Sequence, residues 1–185
     1  MNRKFVAGAA ALALTVGGTG VAVAAKNGPP PKRATINAVA KVKYKINRYV
    51  QDGLRWQKDT YQVRSGGTLH IVNKAQDGPH TLSVVKKSDL PRTTNQLNNC
   101  KVCGEIAAAH GVDPSVESDA PPPHLWTEDG VGVDAPASFD KPGDSVFIGP
   151  EPGSSADVTV TAKKNTKLFF ICAIHPWMQA KVIVG

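Results

Sequence analysis

The clearest pattern in the chain is the alternation of polar and apolar positions. In Lys41-Val42-Lys43-Tyr44-Lys45-Ile46-Asn47 every second side chain is apolar, which on an extended strand puts them all on one face and predicts a half-buried strand. Thr60-Tyr61-Gln62-Val63-Arg64 repeats the signal and Ser65-Gly66-Gly67 supplies turn residues. Thr68-Leu69-His70-Ile71-Val72-Asn73 follows, with Leu69 and Ile71 on one face and His70 on the other. His80-Thr81-Leu82-Ser83-Val84-Val85 is a further short strand. The pattern resumes in Ser145-Val146-Phe147-Ile148, Ala156-Asp157-Val158-Thr159-Val160-Thr161, Lys167-Leu168-Phe169-Phe170-Ile171-Cys172 and Lys181-Val182-Ile183-Val184. About eight short strands, Gly/Pro-rich connections and almost no helical periodicity predict an all-β chain folded as an antiparallel β-sandwich.

Two stretches break the pattern. Residues 26–40 contain Pro29-Pro30-Pro31, Lys32 and Arg33, and read as an extended, solvated linker from which no core can be built. Residues from 86 to about 143 hold half of the chain's prolines, including Pro121-Pro122-Pro123, and one short helix candidate, Gly104-Glu105-Ile106-Ala107-Ala108-Ala109-His110. Such length without strong periodicity is uncommon inside a compact domain and reads as a functional loop or a flexible excursion. At 185 residues the chain is expected to form one core, residues 41–185, with 86–143 as a long irregular insertion.

The first 25 residues are of another kind. Asn2-Arg3-Lys4 is a positive start, Phe5 to Ala24 is apolar and small, and Val21-Ala22-Val23-Ala24-Ala25 places small residues where a signal peptidase cuts. The expectation is a cleaved signal peptide and an exported protein, in the periplasm, the cell envelope or outside the cell. An uncleaved anchor is the alternative, weakened by Gly17-Gly18-Thr19-Gly20, and membrane association follows only if residues 5–25 remain as such an anchor. The formal charge is +7, of which Arg3 and Lys4 contribute two. The remaining basic residues are scattered in alternation with apolar ones, as on a solvated strand face. No nucleic-acid module or aromatic-basic platform accompanies them, so nucleic acid is not an expected partner.

The chemistry lies close to the C-terminus. Phe169-Phe170-Ile171-Cys172-Ala173-Ile174-His175-Pro176-Trp177-Met178 offers a thiol, an imidazole and a thioether directly after a strand. The period of two places Leu168, Phe170 and Cys172 on one face, so that Cys172 points into the core at one end. A second imidazole is available from His80, which opens its strand on the face of Leu82 and Val84. Soft sulfur with imidazole selects copper, and two His, one Cys and a weak Met form the donor set of an electron-transfer copper centre. A buried, unligated thiol is the plainer alternative for Cys172 taken alone.

These two segments resemble the plastocyanin-like small blue copper proteins, the cupredoxins, and the Cys-x-x-His-x-x-Met spacing is most similar to the ligand loop of amicyanin. The resemblance covers roughly residues 42–85 and 144–185. It implies a Greek-key sandwich and one type 1 copper ion, with His80, Cys172 and His175 as strong ligands and Met178 as the long axial one. It implies a carrier of single electrons rather than an enzyme. Transient redox partners would dock near His175, amid an apolar patch for which Pro176, Trp177 and Pro79 are the candidates.

The chain departs from the family's pattern at two positions besides the insertion. Ile174 stands where Pro is common, and it retains a backbone N–H able to reach the Cys172 sulfur, which predicts a relatively high reduction potential. Thr81 stands where Asn commonly follows the first His, so the Thr hydroxyl must replace the tie that Asn makes between loops, or the tie is absent.

Cys100-Lys101-Val102-Cys103 reads as a small structural disulfide in an oxidising compartment, with a second metal site shared with His110 or His124 as the alternative. The βαβ setting of a thiol–disulfide oxidoreductase is missing. Two rival functions remain open on sequence: a copper-binding or copper-delivery protein of the same fold, and a non-redox structural β-sandwich in which the four donors coincide by chance.

Overall fold

In the computed structural model residues 28–76, 78–113 and 120–185 are described, so the expected signal peptide over residues 1–25 lies outside the described residues. Strands β1 (Arg33–Val39), β2 (Lys43–Lys45), β3 (Tyr49–Gln51), β4 (Arg55–Trp56), β5 (Thr60–Val63), β6 (Gly67–Asn73) and β7 (His80–Val85) come first. Helices α1 (Thr94–Asn98) and α2 (Lys101–Ala109) follow. Strands β8 (Trp126–Glu128), β9 (Val131–Val133), β10 (Ser145–Ile148), β11 (Ser155–Val160), β12 (Lys167–Ile171) and β13 (Gln179–Val184) complete the chain.

The alternation seen in the sequence becomes two sheets packed face to face. One sheet has the order β11-β6-β1-β4 and the other β5-β13-β12-β7-β10-β8-β9. Ile36, Leu69, Ile71, Val158 and Val160 of the first meet Val63, Leu82, Val84, Val146, Phe170, Val182 and Val184 of the second in one buried cluster. Most pairings are antiparallel, as expected for a sandwich; β1 with β6 and β5 with β13 are parallel. Among the described residues no helix is long and apolar enough to cross a membrane.

Three expectations are corrected. The segment 26–40 is not a solvated linker throughout: Arg33–Val39 is a strand paired along its length with β6, and Ile36 and Ala38 are buried in the core. The pairing supplies partners for backbone groups that a linker would leave to water. The strict alternation of residues 41–47, by contrast, does not enter the sandwich. Lys43–Lys45 pairs only with Tyr49–Gln51 as a two-stranded ribbon turned at Asn47 (φ 56°), and Tyr44, Ile46 and Val50 stay exposed.

The third correction concerns the insertion, whose described residues are packed rather than a loose excursion. Strands β8 and β9 extend the second sheet beyond β10, and Cys103 and Ile106 of α2 pack on Val85 and Ile171. The helix begins earlier than the sequence pattern predicts, at Lys101 rather than Gly104, and Cys100 and Cys103 are joined as a disulfide. Because the insertion covers the outer face of β7, all six residues of that strand are buried, including the outward-facing Thr81, Ser83 and Val85.

Candidate metal centre

Two loops meet at one end of the sandwich, and each is fixed from within. Asn73, at the end of β6, donates from Nδ2 to the carbonyls of Gly78, Gly149 and Pro150 and accepts the Ala75 N–H at Oδ1, which holds the turn leading into His80. Gly78 in that turn has φ 108°, a conformation that residues with a Cβ rarely adopt. The other loop, residues 172–178, is closed by the Cys172 N–H on the Met178 carbonyl (3.0 Å) and the Met178 N–H on the His175 carbonyl (2.8 Å). Neighbouring elements anchor it: Trp56 donates its indole N–H to the Met178 carbonyl, Trp177 donates to the Leu54 carbonyl, and the Gln179 amide reaches the carbonyls of Pro91 and Pro176.

His80, Cys172 and His175 come together between these loops. Nδ1 of His80 is 3.9 Å from the Cys172 sulfur and Nδ1 of His175 is 3.6 Å from it. One ligating atom from each residue lies within 4.8 Å of the other two, the only such grouping of His, Cys, Asp and Glu among the described residues. A metal ion bonded at about 2.0–2.3 Å needs in-plane donors roughly 3.5–4 Å apart, so these spacings suit a single ion. Met178 is fully buried in the same cluster as Cys172, tied to it through the backbone.

Burial disfavours an anionic sulfur at this position, so a thiolate here calls for a compensating cation. Burial pushes the Cys172 thiol up, while the Thr81, His175 and Ile174 N–H groups and the Thr81 hydroxyl act in the opposite direction as hydrogen-bond donors. The Thr81 N–H lies 3.4 Å from the sulfur. A neutral thiol is a weak acceptor and gains little from several donors, whereas a metal-bound thiolate needs them. Burial, with the nearby His175, drives His80 down to about 4, so its ring is neutral and keeps a lone pair for a ligand bond; its Nε2 is buried with no hydrogen-bond partner. A cysteine sulfur, two imidazoles and a thioether together form the donor set that copper prefers.

The Thr81 hydroxyl makes the tie that the sequence left open. It accepts the Ala173 N–H at 2.8 Å and so joins the His80 strand to the Cys172 loop. The Ile174 N–H faces the sulfur, as its sequence position suggested. Other polar candidates are occupied elsewhere. Cys100 and Cys103 are bonded to each other, which removes the thiolates a second metal site would need. His70 pairs with Asp157, His124 with Asp134, and His110 lies between the His124 carbonyl and Ser145.

Two supports were not foreseen from sequence. Trp56 stands edge-on to His80 with ring centroids 5.9 Å apart, and a row of buried hydroxyls (Thr81, Ser83 and Ser145) runs away from the site under the insertion. Alternation placed Thr81 and Ser83 on the outer face of β7, but nothing local indicated that this face would be covered. At the surface, His175 lies beside Trp177, with ring centroids 5.4 Å apart, and both Trp177 and Ile174 are exposed.

No family model matches the sequence, and comparison with curated proteins finds no match. The fold is similar to several solved structures. One is the dithionite-reduced auracyanin of the photosynthetic bacterium Roseiflexus castenholzii, 15% identical, with TM-score 0.43, covering 85% of this chain and 99% of that one. Another is auracyanin A, a blue copper protein of Chloroflexus aurantiacus, 16% identical, with TM-score 0.40, covering 84% and 99%. A third is a purple cupredoxin of Nitrosopumilus maritimus, 11% identical, with TM-score 0.39, covering 82% and 99%.

Proposed function

We propose that the protein is an exported mononuclear blue copper protein that carries single electrons. His80, Cys172 and His175 would hold the copper in this reading, with Met178 as a further, weaker donor. The observation that carries it is the convergence of the Cys172 sulfur and the two imidazoles at the spacing of one ion, in a pocket where the thiol is fully buried and already surrounded by hydrogen-bond donors. Export rests on the composition of residues 1–25.

Copper held there supplies a one-electron couple between Cu(I) and Cu(II). The chain's own contribution is rigidity: the two sheets, the Asn73 turn and the closed 172–178 loop hold the donors in one arrangement for both oxidation states. Burial of His80, Cys172 and Met178 favours retention of the metal over its exchange, which counts against a delivery role. The half-buried His175, bordered by exposed Ile174 and Trp177, is the route for the electron and the place where a redox partner docks transiently.

Visible absorption and EPR of the copper-loaded protein test the proposal. An intense thiolate-to-Cu(II) band with narrow hyperfine splitting is expected, and Cys172→Ser should abolish both. Colour surviving in that variant, or its absence from the wild type, would refute the reading.

A further inference from the structure

Beneath the insertion, on the covered face of β7 and β10, lies an unbroken row of polar contacts that ends at Cys172. His110, which caps α2 and is 2% exposed, has Nδ1 2.6 Å from the His124 carbonyl and Nε2 2.9 Å from the Ser145 hydroxyl. The Ser145 hydroxyl is 2.7 Å from that of Ser83, its directly paired neighbour across the two strands. Ser83 donates to the Thr81 hydroxyl at 3.0 Å, and Thr81 in turn faces the Cys172 sulfur.

Counting protons along the row gives it two settings. A carbonyl only accepts, so Nδ1 of His110 must carry a proton in either setting. Thr81 Oγ1 already accepts from Ala173, and each hydroxyl has a single proton to give. With Ser83 donating to Thr81, as the geometry has it, Ser145 must donate to Ser83, and the contact with His110 is satisfied only if Nε2 also bears a proton. That is the imidazolium form, and it leaves the Thr81 proton for the sulfur. In the neutral ring Nε2 must accept, so Ser145 turns to His110 and Ser83 turns to Ser145. The Thr81 proton is then drawn toward Ser83 and away from the sulfur.

We infer that His110 is a positioning residue for the metal centre: the protonation of its imidazole decides, through Ser145 and Ser83, whether the Thr81 hydroxyl donates to the Cys172 sulfur. The inference rests on the copper reading of the site. One proton is taken from water at Nε2, three hydroxyls rotate, and no other covalent bond changes. A donor on the sulfur withdraws charge from it and favours the reduced ion, so the reduction potential rises as His110 is protonated. By linkage, reduction must raise the proton affinity of His110 by the same factor.

The surroundings of His110 suit a ring that changes form with pH. Burial holds it below the ordinary imidazole range, the His124 carbonyl pulls it upward and the neighbouring His124 imidazole pushes it down. Among the described residues, His124 is the titratable group that acts on it. The His124 imidazole lies 3.2 Å from the Asp134 carboxylate. Asp144 precedes Ser145 on β10, but its carboxylate is turned to the amides of Asp129, Asp140 and Lys141.

Nitrogen-15 NMR of the His110 ring in the metal-free protein is the first test. At about pH 8 the Nδ1–H tautomer is expected, with protonation of Nε2 as pH falls; the opposite tautomer would overturn the inference without reference to copper. Voltammetry of the copper-loaded protein is the second. The wild-type potential should climb as pH is lowered through the His110 titration, by about 59 mV for each tenfold difference in proton affinity between the oxidation states. Ser83→Ala cuts the row and frees the Thr81 proton permanently, so its potential should be independent of pH and match the acid limit of the wild type. A slope that persists in Ser83→Ala would overturn the relay, reducing the effect to charge at a distance. Absence of the blue band in the wild type would instead count against the copper reading itself.

Discussion

The indole N–H of Trp56 donates to the Met178 carbonyl at 3.2 Å, and that carbonyl also accepts the Cys172 N–H. One buried side chain on β4 thus steadies the last residue of the ligand loop while its ring stands against His80. Trp56→Phe keeps most of the apolar volume and removes the donor, so a loss of about 1–3 kcal/mol is expected in urea denaturation of the metal-free protein. Copper dissociation, followed by loss of the thiolate band against a chelator, should be faster than in the wild type. Unchanged stability and unchanged dissociation would show that the bond does not steady the loop.

Ile174 contributes a backbone donor that a proline there could not. With the Ile174 N–H facing the Cys172 sulfur, Ile174→Pro removes one of the groups that stabilise the reduced state. The potential should fall, whereas Ile174→Ala, which retains the N–H, should leave it nearly unchanged. Voltammetry at one fixed pH decides it, and a potential that held or rose in the proline variant would refute the role.

The parts of this architecture that could be read from sequence are those in which pattern and chemistry are local. Period-two alternation located β5, β6, β7 and β10 to β13, and the spacing of Cys172, His175 and Met178 marked the ligand loop. Alternation identifies a face but not the surface that covers it. The most regular run, residues 41–47, therefore ended as an exposed ribbon, while Arg33–Val39, following three prolines and containing Ala and Asn with little strand preference, became a core strand. The buried Asn37 donates from Nδ2 to Gln57 at 2.6 Å, a long-range contact with no local signature, while its Oδ1 is buried without a hydrogen-bond partner. The covered hydroxyl row was hidden for the same reason, since Thr81, Ser83 and Ser145 look like an ordinary solvated face until α2 is laid over them.

That cover is held by apolar contact. Ile106 of α2 is 7% exposed and packs with Val85 and Ile171 of the underlying sheet. Ile106→Ala removes methyl groups from a closed interface and should cost about 2–4 kcal/mol, read from urea or thermal unfolding. Hydrogen exchange should quicken at α2 amides before it does in β6 or β12. An indifferent stability, with exchange unchanged, would mean that the insertion docks by other contacts.

On the outer face of the other sheet, Asp157 joins Arg33 and His70 across strands. Its carboxylate takes both Arg33 guanidinium nitrogens at 2.9 and 3.1 Å and lies 2.6 Å from Nδ1 of His70. Burial acts to raise its pKa, but the His70 and Arg33 hydrogen bonds and charges outweigh it and hold the carboxyl below its ordinary value. A folded-state value below the unfolded one contributes stability that is present above the ordinary carboxylate range and is lost as pH falls through the folded value. The group is half exposed, so screening limits the effect to about 1 kcal/mol or less. Asp157→Asn should therefore be slightly less stable than the wild type at neutral pH, the gap closing on acidification and shrinking in high salt. Urea titrations at neutral and acid pH measure it, and a gap that widened toward acid would reverse the sign argued here.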